Sequence, residues 1–83
     1  MIIQITASAN GHKDYFHKTM SDSKNERAIN EEAAYTHTVL KKMLNAQTHS
    51  PVFEFQDDDL GYVMINVQSY NFITVRVIEE HVM

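Results

Sequence analysis

The chain has 83 residues, with 7 lysines and arginines against 11 aspartates and glutamates, a formal net charge of −4 and no cysteine. This length supports one domain, residues 1–83, without a linker, and an apolar fraction of 43% is too high for a disordered chain. The lack of cysteine excludes a disulfide framework and a thiolate metal site. The negative charge argues against duplex DNA or RNA as the main partner, because such binding depends on lysine and arginine facing phosphate.

The N-terminal segment Met1–Thr6 has no basic residue before its apolar ones, so we expect no secretory signal. The longest uncharged run, Leu60–Val75, is interrupted by polar residues and is too short to cross a bilayer. We therefore expect a cytoplasmic protein without membrane contact.

The first predicted element is a strand, since apolar and polar residues alternate from Ile3 to Ser8. The dipeptide Asn10-Gly11 follows, and it is the strongest short signal for a hairpin turn. The returning segment Lys13–Met20 fits either an edge strand or a short helical turn.

A long amphipathic helix is predicted from Lys24 to Ala46, opened by a capping box at Ser23–Glu26 and ended by Thr48–Pro51. Such a helix is ~34 Å long, whereas seven-residue strands reach only ~23 Å. Part of the helix should therefore extend past the sheet, bend or pack on a partner. Its apolar stripe consists of Ile29, Ala33, Thr36, Val39, Leu40, Met43 and Leu44.

The last third predicts an antiparallel meander of three strands, Val52–Gln56, Tyr62–Gln68 and Phe72–Ile78, joined by turns at Asp57–Gly61 and Ser69–Asn71. The fold class is thus α+β, with one long amphipathic helix packed on an antiparallel sheet. The predicted chain order is β-β-α-β-β-β. The second element, Lys13–Met20, is either a strand or a short helical turn. Six residues of the meander should face the helix: Val63, Ile65, Val67, Ile73, Val75 and Val77.

Charge is unevenly distributed, because residues 51–83 hold six acidic groups and one basic group, Arg76. Such a field attracts basic surfaces, although acidic turns also serve solubility. The outer sheet face carries aromatic residues and methionine, which are typical of interface cores. Either this face binds another chain, or residues 10–22 of the same chain cover it. The predicted partner-binding residues are Glu54, Asp57, Asp58, Asp59, Tyr62, Met64, Phe72, Arg76, Glu79 and Glu80.

No motif predicts a reaction, a metal site or a cofactor, so we expect no enzyme activity. His12 and His17 are five residues apart, which places them on different faces of a strand or helix. The run Asp57–Asp59 lacks the alternating oxygens and the distant glutamate of a calcium loop. The two glycines lie fifty residues apart, so no phosphate-binding loop is present.

The leading hypothesis is a small acidic module that binds a basic surface on another protein, without contacting nucleic acid directly. In size and charge it resembles phage and plasmid inhibitors of host defence, including anti-CRISPR and anti-restriction proteins. That resemblance implies an inhibitor of a nucleic-acid-processing protein. The alternatives are an antitoxin or immunity protein, and a homodimeric or larger structural assembly. Stacking of single-stranded nucleic acid on the aromatic sheet is disfavoured by the acidic charge.

Overall fold

The computed structural model describes residues 2–19, 25–45 and 52–79. One helix packs against a five-stranded antiparallel sheet, which confirms the predicted α+β fold class and element order. The elements are β1 (Ile2–Ala9), β2 (His12–Lys18), α1 (Glu26–Asn45), β3 (Val52–Asp57), β4 (Gly61–Asn66), a 3-10 helix (Val67–Ser69) and β5 (Phe72–Ile78).

The first hairpin forms where the sequence predicts it. Asn10 and Gly11 have φ angles of 52° and 79°. Two-residue hairpin turns of this kind need positive φ at both residues, and that conformation matches the twist of the two strands. The returning segment is a strand, β2, that pairs with β1 from Ala9↔His12 to Ile3↔Lys18. Met20, the last residue of the predicted segment, lies outside the described residues.

Replacing Gly11 by alanine is expected to lower the free energy of unfolding by about 1 kcal/mol. A Cβ atom at this position would meet nothing within 4 Å, so the cost comes only from the left-handed backbone conformation. Urea unfolding followed by circular dichroism measures it. Asn10→Gly is the control, because glycine adopts the same φ freely; equal destabilisation by both substitutions would contradict the explanation.

Helix α1 begins at Glu26, and Asn25 is its N-cap: the Ala28 N–H donates to Asn25 Oδ1 at 3.2 Å. The predicted capping serine, Ser23, lies outside the described residues. The 20 described helical residues span ~30 Å, against ~27 Å for the eight residues of β1. An ion pair of 2.6 Å between Lys18 Nζ and Glu32 Oε2 ties α1 to β2.

The predicted meander is wrong in its last pairing. The strand order is β4-β3-β2-β1-β5, so β5 pairs with β1 rather than with β4, from Ser8↔Phe72 to Ile2↔Ile78. After β4 the chain turns through the 3-10 helix, where the Gln68 N–H donates to Asn66 Oδ1 at 3.1 Å. Strand β1 carries no charged side chain, which suits a position between two neighbours.

The core lies between α1 and the inner face of the sheet. Ile29, Thr36 and Leu40 are the buried positions of the predicted helical stripe, whereas Leu44 is 39% exposed. Phe16 and Phe55 meet edge to face at 5.5 Å between ring centroids, which joins β2 to β3. Among the six predicted inward residues, Ile65 and Val67 are buried and the others are half-buried, with Val67 in the 3-10 helix rather than in a strand.

Candidate protein-interaction surface

The strand order divides the predicted binding residues into two groups at opposite edges of the sheet. Tyr62 and Met64 lie on edge strand β4, whereas Phe72 and Arg76 lie on edge strand β5. Three strands separate these edges, which corresponds to about 19 Å along the sheet. A single compact site of all predicted residues is therefore excluded.

The first group forms a surface on the β3–β4 hairpin. Val63 and Ile65 point into the core, so Tyr62 and Met64 point outward. Tyr62 is 87% exposed and Met64 is 70% exposed. We call the exposed side of this hairpin the β3–β4 surface. It consists of Glu54, Asp58, Asp59, Leu60, Tyr62 and Met64.

Residues 10–19 do not cover this surface. They form the hairpin turn and strand β2, which lie within the sheet beside β1. Residues 20–22 are outside the described part of the chain. Strand β2 therefore leaves Tyr62 and Met64 exposed.

Asp57 does not belong to the exposed surface, contrary to its place in the predicted site. It is 3% exposed and its carboxylate accepts three backbone hydrogen bonds. The His17 N–H donates to Oδ1 at 2.6 Å, and the N–H groups of Asp59 and Leu60 donate to Oδ2 at 2.8 and 2.9 Å. The side chain thus joins β2 to the β3–β4 turn, and its burial keeps the carboxylate away from a partner.

These contacts determine the ionisation of Asp57. Burial on its own would raise the pKa of the carboxyl, but the three N–H donors, together with the positive field of the His17 ring, lower the pKa below its ordinary value of 3.8. The group is therefore held as an anion by hydrogen bonds to its charged form.

The other two aspartates of the turn remain accessible. Asp58 accepts a hydrogen bond of 2.6 Å from Thr19 Oγ1, and this carboxylate is exposed. The Asp59 side chain is 71% exposed and its Oδ2 lies 4.0 Å from His17 Nδ1. Both carboxylates are thus available to a partner at the edge of the β3–β4 surface.

The hairpin contains no compensating cation, since residues 52–66 include no lysine, arginine or histidine. Glu54 is exposed on β3, directly opposite Met64. Lys18, the nearest lysine in the register, is already paired with Glu32. The hairpin therefore carries three exposed carboxylates and two exposed large side chains, Tyr62 and Met64, without a cation of its own.

The second group of predicted residues is more dispersed. Phe72 is 48% exposed on β5, opposite Ser8. Arg76 is opposite Gln4, and Glu79 directly follows the strand; both side chains are exposed. Glu80 lies outside the described residues.

One member of the β3–β4 surface was missed by the sequence reasoning. Leu60 is 65% exposed at the tip of the turn. An apolar residue between an aspartate run and a glycine, in the turn that joins two strands, cannot point into the core. This position in the sequence could therefore have indicated that Leu60 is exposed.

Metal ligation finds no support in the part of the chain that the structure covers. No group of three or more potential ligands comes together there. His12 Nε2 lies 3.0 Å from Asp14 Oδ1 in an exposed pair, while His17, five residues on, is ~17 Å away along β2 and on its other face.

The sequence matches no protein-family model, and comparisons with curated proteins and with solved structures gave no match either. Within the described ranges, α1 lacks the length of apolar sequence that a membrane-spanning helix needs.

Proposed function

We propose that this protein is a protein-binding module and that its β3–β4 surface docks on a basic surface of another protein. The observation that carries the proposal is the exposure of Tyr62 and Met64 on the hairpin that also carries the exposed carboxylates of Glu54, Asp58 and Asp59. Aromatic and methionine side chains supply binding energy when a partner desolvates them. The surrounding carboxylates select a basic partner and accelerate the encounter.

The proposed activity is inhibition of a nucleic-acid-processing protein, of the kind found among anti-CRISPR and anti-restriction proteins. Such targets carry lysine and arginine surfaces that bind phosphate, and an acidic hairpin with apolar anchors would occupy one of them. An antitoxin or immunity protein would use the same physics against a dedicated toxin. A homo-oligomeric assembly is the third candidate, in which the exposed residues would be buried between copies.

The partner can be captured with the tagged chain from a lysate of the source cell or its host, and identified by mass spectrometry. The control bait is Asp58→Asn combined with Asp59→Asn, which leaves the buried Asp57 intact. A stoichiometric basic partner that is retained by the native chain and lost with the double variant would support inhibition or neutralisation. Recovery of copies of the same chain alone would favour the assembly.

The double variant is also expected to associate about tenfold more slowly with the purified partner at low ionic strength, because two steering charges are removed. Its dissociation rate should change little, and added salt should narrow the difference. Surface plasmon resonance measures both rates. The matched control, Glu26→Gln with Glu31→Gln, changes the net charge equally at exposed positions on α1. Equal slowing by both pairs would show that only net charge matters.

A further inference from the structure

A groove of 370 Å³ lies between the C-terminal half of α1 and strand β5. Its apolar side chains come from Leu40 and Leu44 on the helix and from Ile73 and Val75 on the strand. Ile73 and Val75 are only half-buried, although they belong to the face of β5 that points toward the core. The groove therefore exposes apolar surface next to the edge of the sheet.

Strand β5 is also an open edge. It pairs with β1 on one side, and no other described strand pairs with its second side. Its seven residues include no proline, no glycine and one charge, Arg76. Edge strands are usually protected by such residues or by a bulge, so the backbone N–H and C=O groups of β5 are available for another strand.

Positive charge borders the groove. Lys41 lines it, Lys42 follows on the helix, and no acidic side chain is among its described lining residues. This charge is opposite to that of the β3–β4 surface, which lies at the other edge of the sheet.

We propose that β5 and this groove bind an extended acidic peptide segment of a partner protein as an added strand. The peptide backbone would continue the sheet beyond β5, and every second side chain would enter the groove against Leu40, Leu44 and Ile73. The middle members of this set must be apolar, while a carboxylate at either end of the same set meets Lys41 and Lys42. Addition of a strand at a sheet edge, with pockets for alternate side chains, is a recurrent mode of peptide recognition.

The test uses the full chain labelled with nitrogen-15 and an acetylated, amidated heptapeptide with glutamate at positions 1 and 7, valine at positions 3 and 5 and threonine between them, so that glutamate and valine share the face that meets the groove. Saturable amide shifts are expected in Phe72–Ile78 and in the helical residues that line the groove. A peptide in which lysine replaces glutamate should bind about fivefold more weakly, and Lys41→Glu should reduce or invert that preference. Lys13→Glu, the same charge change at an exposed position on β2, should leave the preference intact.

Three outcomes would overturn the proposal. Shifts confined to Gly61–Asn66 would place the added strand at β4 instead. Equal effects of Lys41→Glu and Lys13→Glu would indicate attraction by net charge alone. Shifts of the β5 amides with protein concentration, without peptide, would show that a second copy of the chain occupies this edge.

Discussion

Replacing Asp57 by alanine is expected to lower the free energy of unfolding by about 3 kcal/mol, because three partly buried N–H groups lose their acceptor at about 1 kcal/mol each. These are the N–H groups of His17, Asp59 and Leu60. For a domain of this size such a loss is a large part of the total stability. Urea unfolding followed by circular dichroism measures it.

Asp59→Ala is the matched control, since it removes a neighbouring carboxylate whose side chain is 71% exposed. It should change stability by no more than about 0.5 kcal/mol. If the two substitutions destabilise equally, the hydrogen bonds to Asp57 do not hold the junction of β2 and β3.

The pH dependence of stability provides a second measurement of the same effect. The folded-state pKa of Asp57 is lowered below 3.8, so its contribution is fully present above the unfolded-state value and is lost as the pH falls through the lower folded-state value. The stability difference between the native chain and Asp57→Asn should therefore shrink as the pH falls below about 4. A difference that stays constant down to acid unfolding would contradict the assignment of the anion to this site.

Replacing Tyr62 by alanine is expected to weaken partner binding about 30-fold, equivalent to about 2 kcal/mol, because the ring is the largest exposed anchor of the β3–β4 surface. The free energy of unfolding should be nearly unchanged, since the side chain is 87% exposed. Titration calorimetry with the captured partner and urea unfolding of the free variant measure the two quantities.

Tyr35→Ala is the control for this prediction, because Tyr35 is 65% exposed on α1, away from the hairpin. It should leave both binding and stability close to those of the native chain. If the native chain, Tyr62→Ala and Tyr35→Ala bind the partner with equal affinity, Tyr62 does not lie in the interface. If Tyr62→Ala loses much stability, the ring packs within the fold.

The distinction between Asp57 and its two neighbours affects how the proposed function is tested. A triple substitution of Asp57, Asp58 and Asp59 would weaken binding by unfolding the hairpin junction, whatever the role of the acidic charge. The double substitution avoids this, because the turn keeps its three backbone hydrogen bonds.

The sequence by itself determined the local elements of this protein. Asn10-Gly11 predicts its turn because both residues accept positive φ, and the turn fixes the register of the two strands beside it. The helical stripe predicts a buried face because its spacing matches one helical turn. Such signals act over a few residues and need no knowledge of distant partners.

Only the tertiary structure decided which strands are neighbours and hence which side chains form a surface. The short connection before Phe72 favours a hairpin with β4, but β5 pairs with β1 instead. Both candidate neighbours are uncharged strands, so no local pattern distinguishes them. The same non-local pairing separates Tyr62 from Phe72 and leaves β5 as an edge. A second non-local contact, between β2 and β3, brings the His17 N–H to Asp57, forty residues away, and so converts one residue of an apparently uniform acidic run into a buried structural anion.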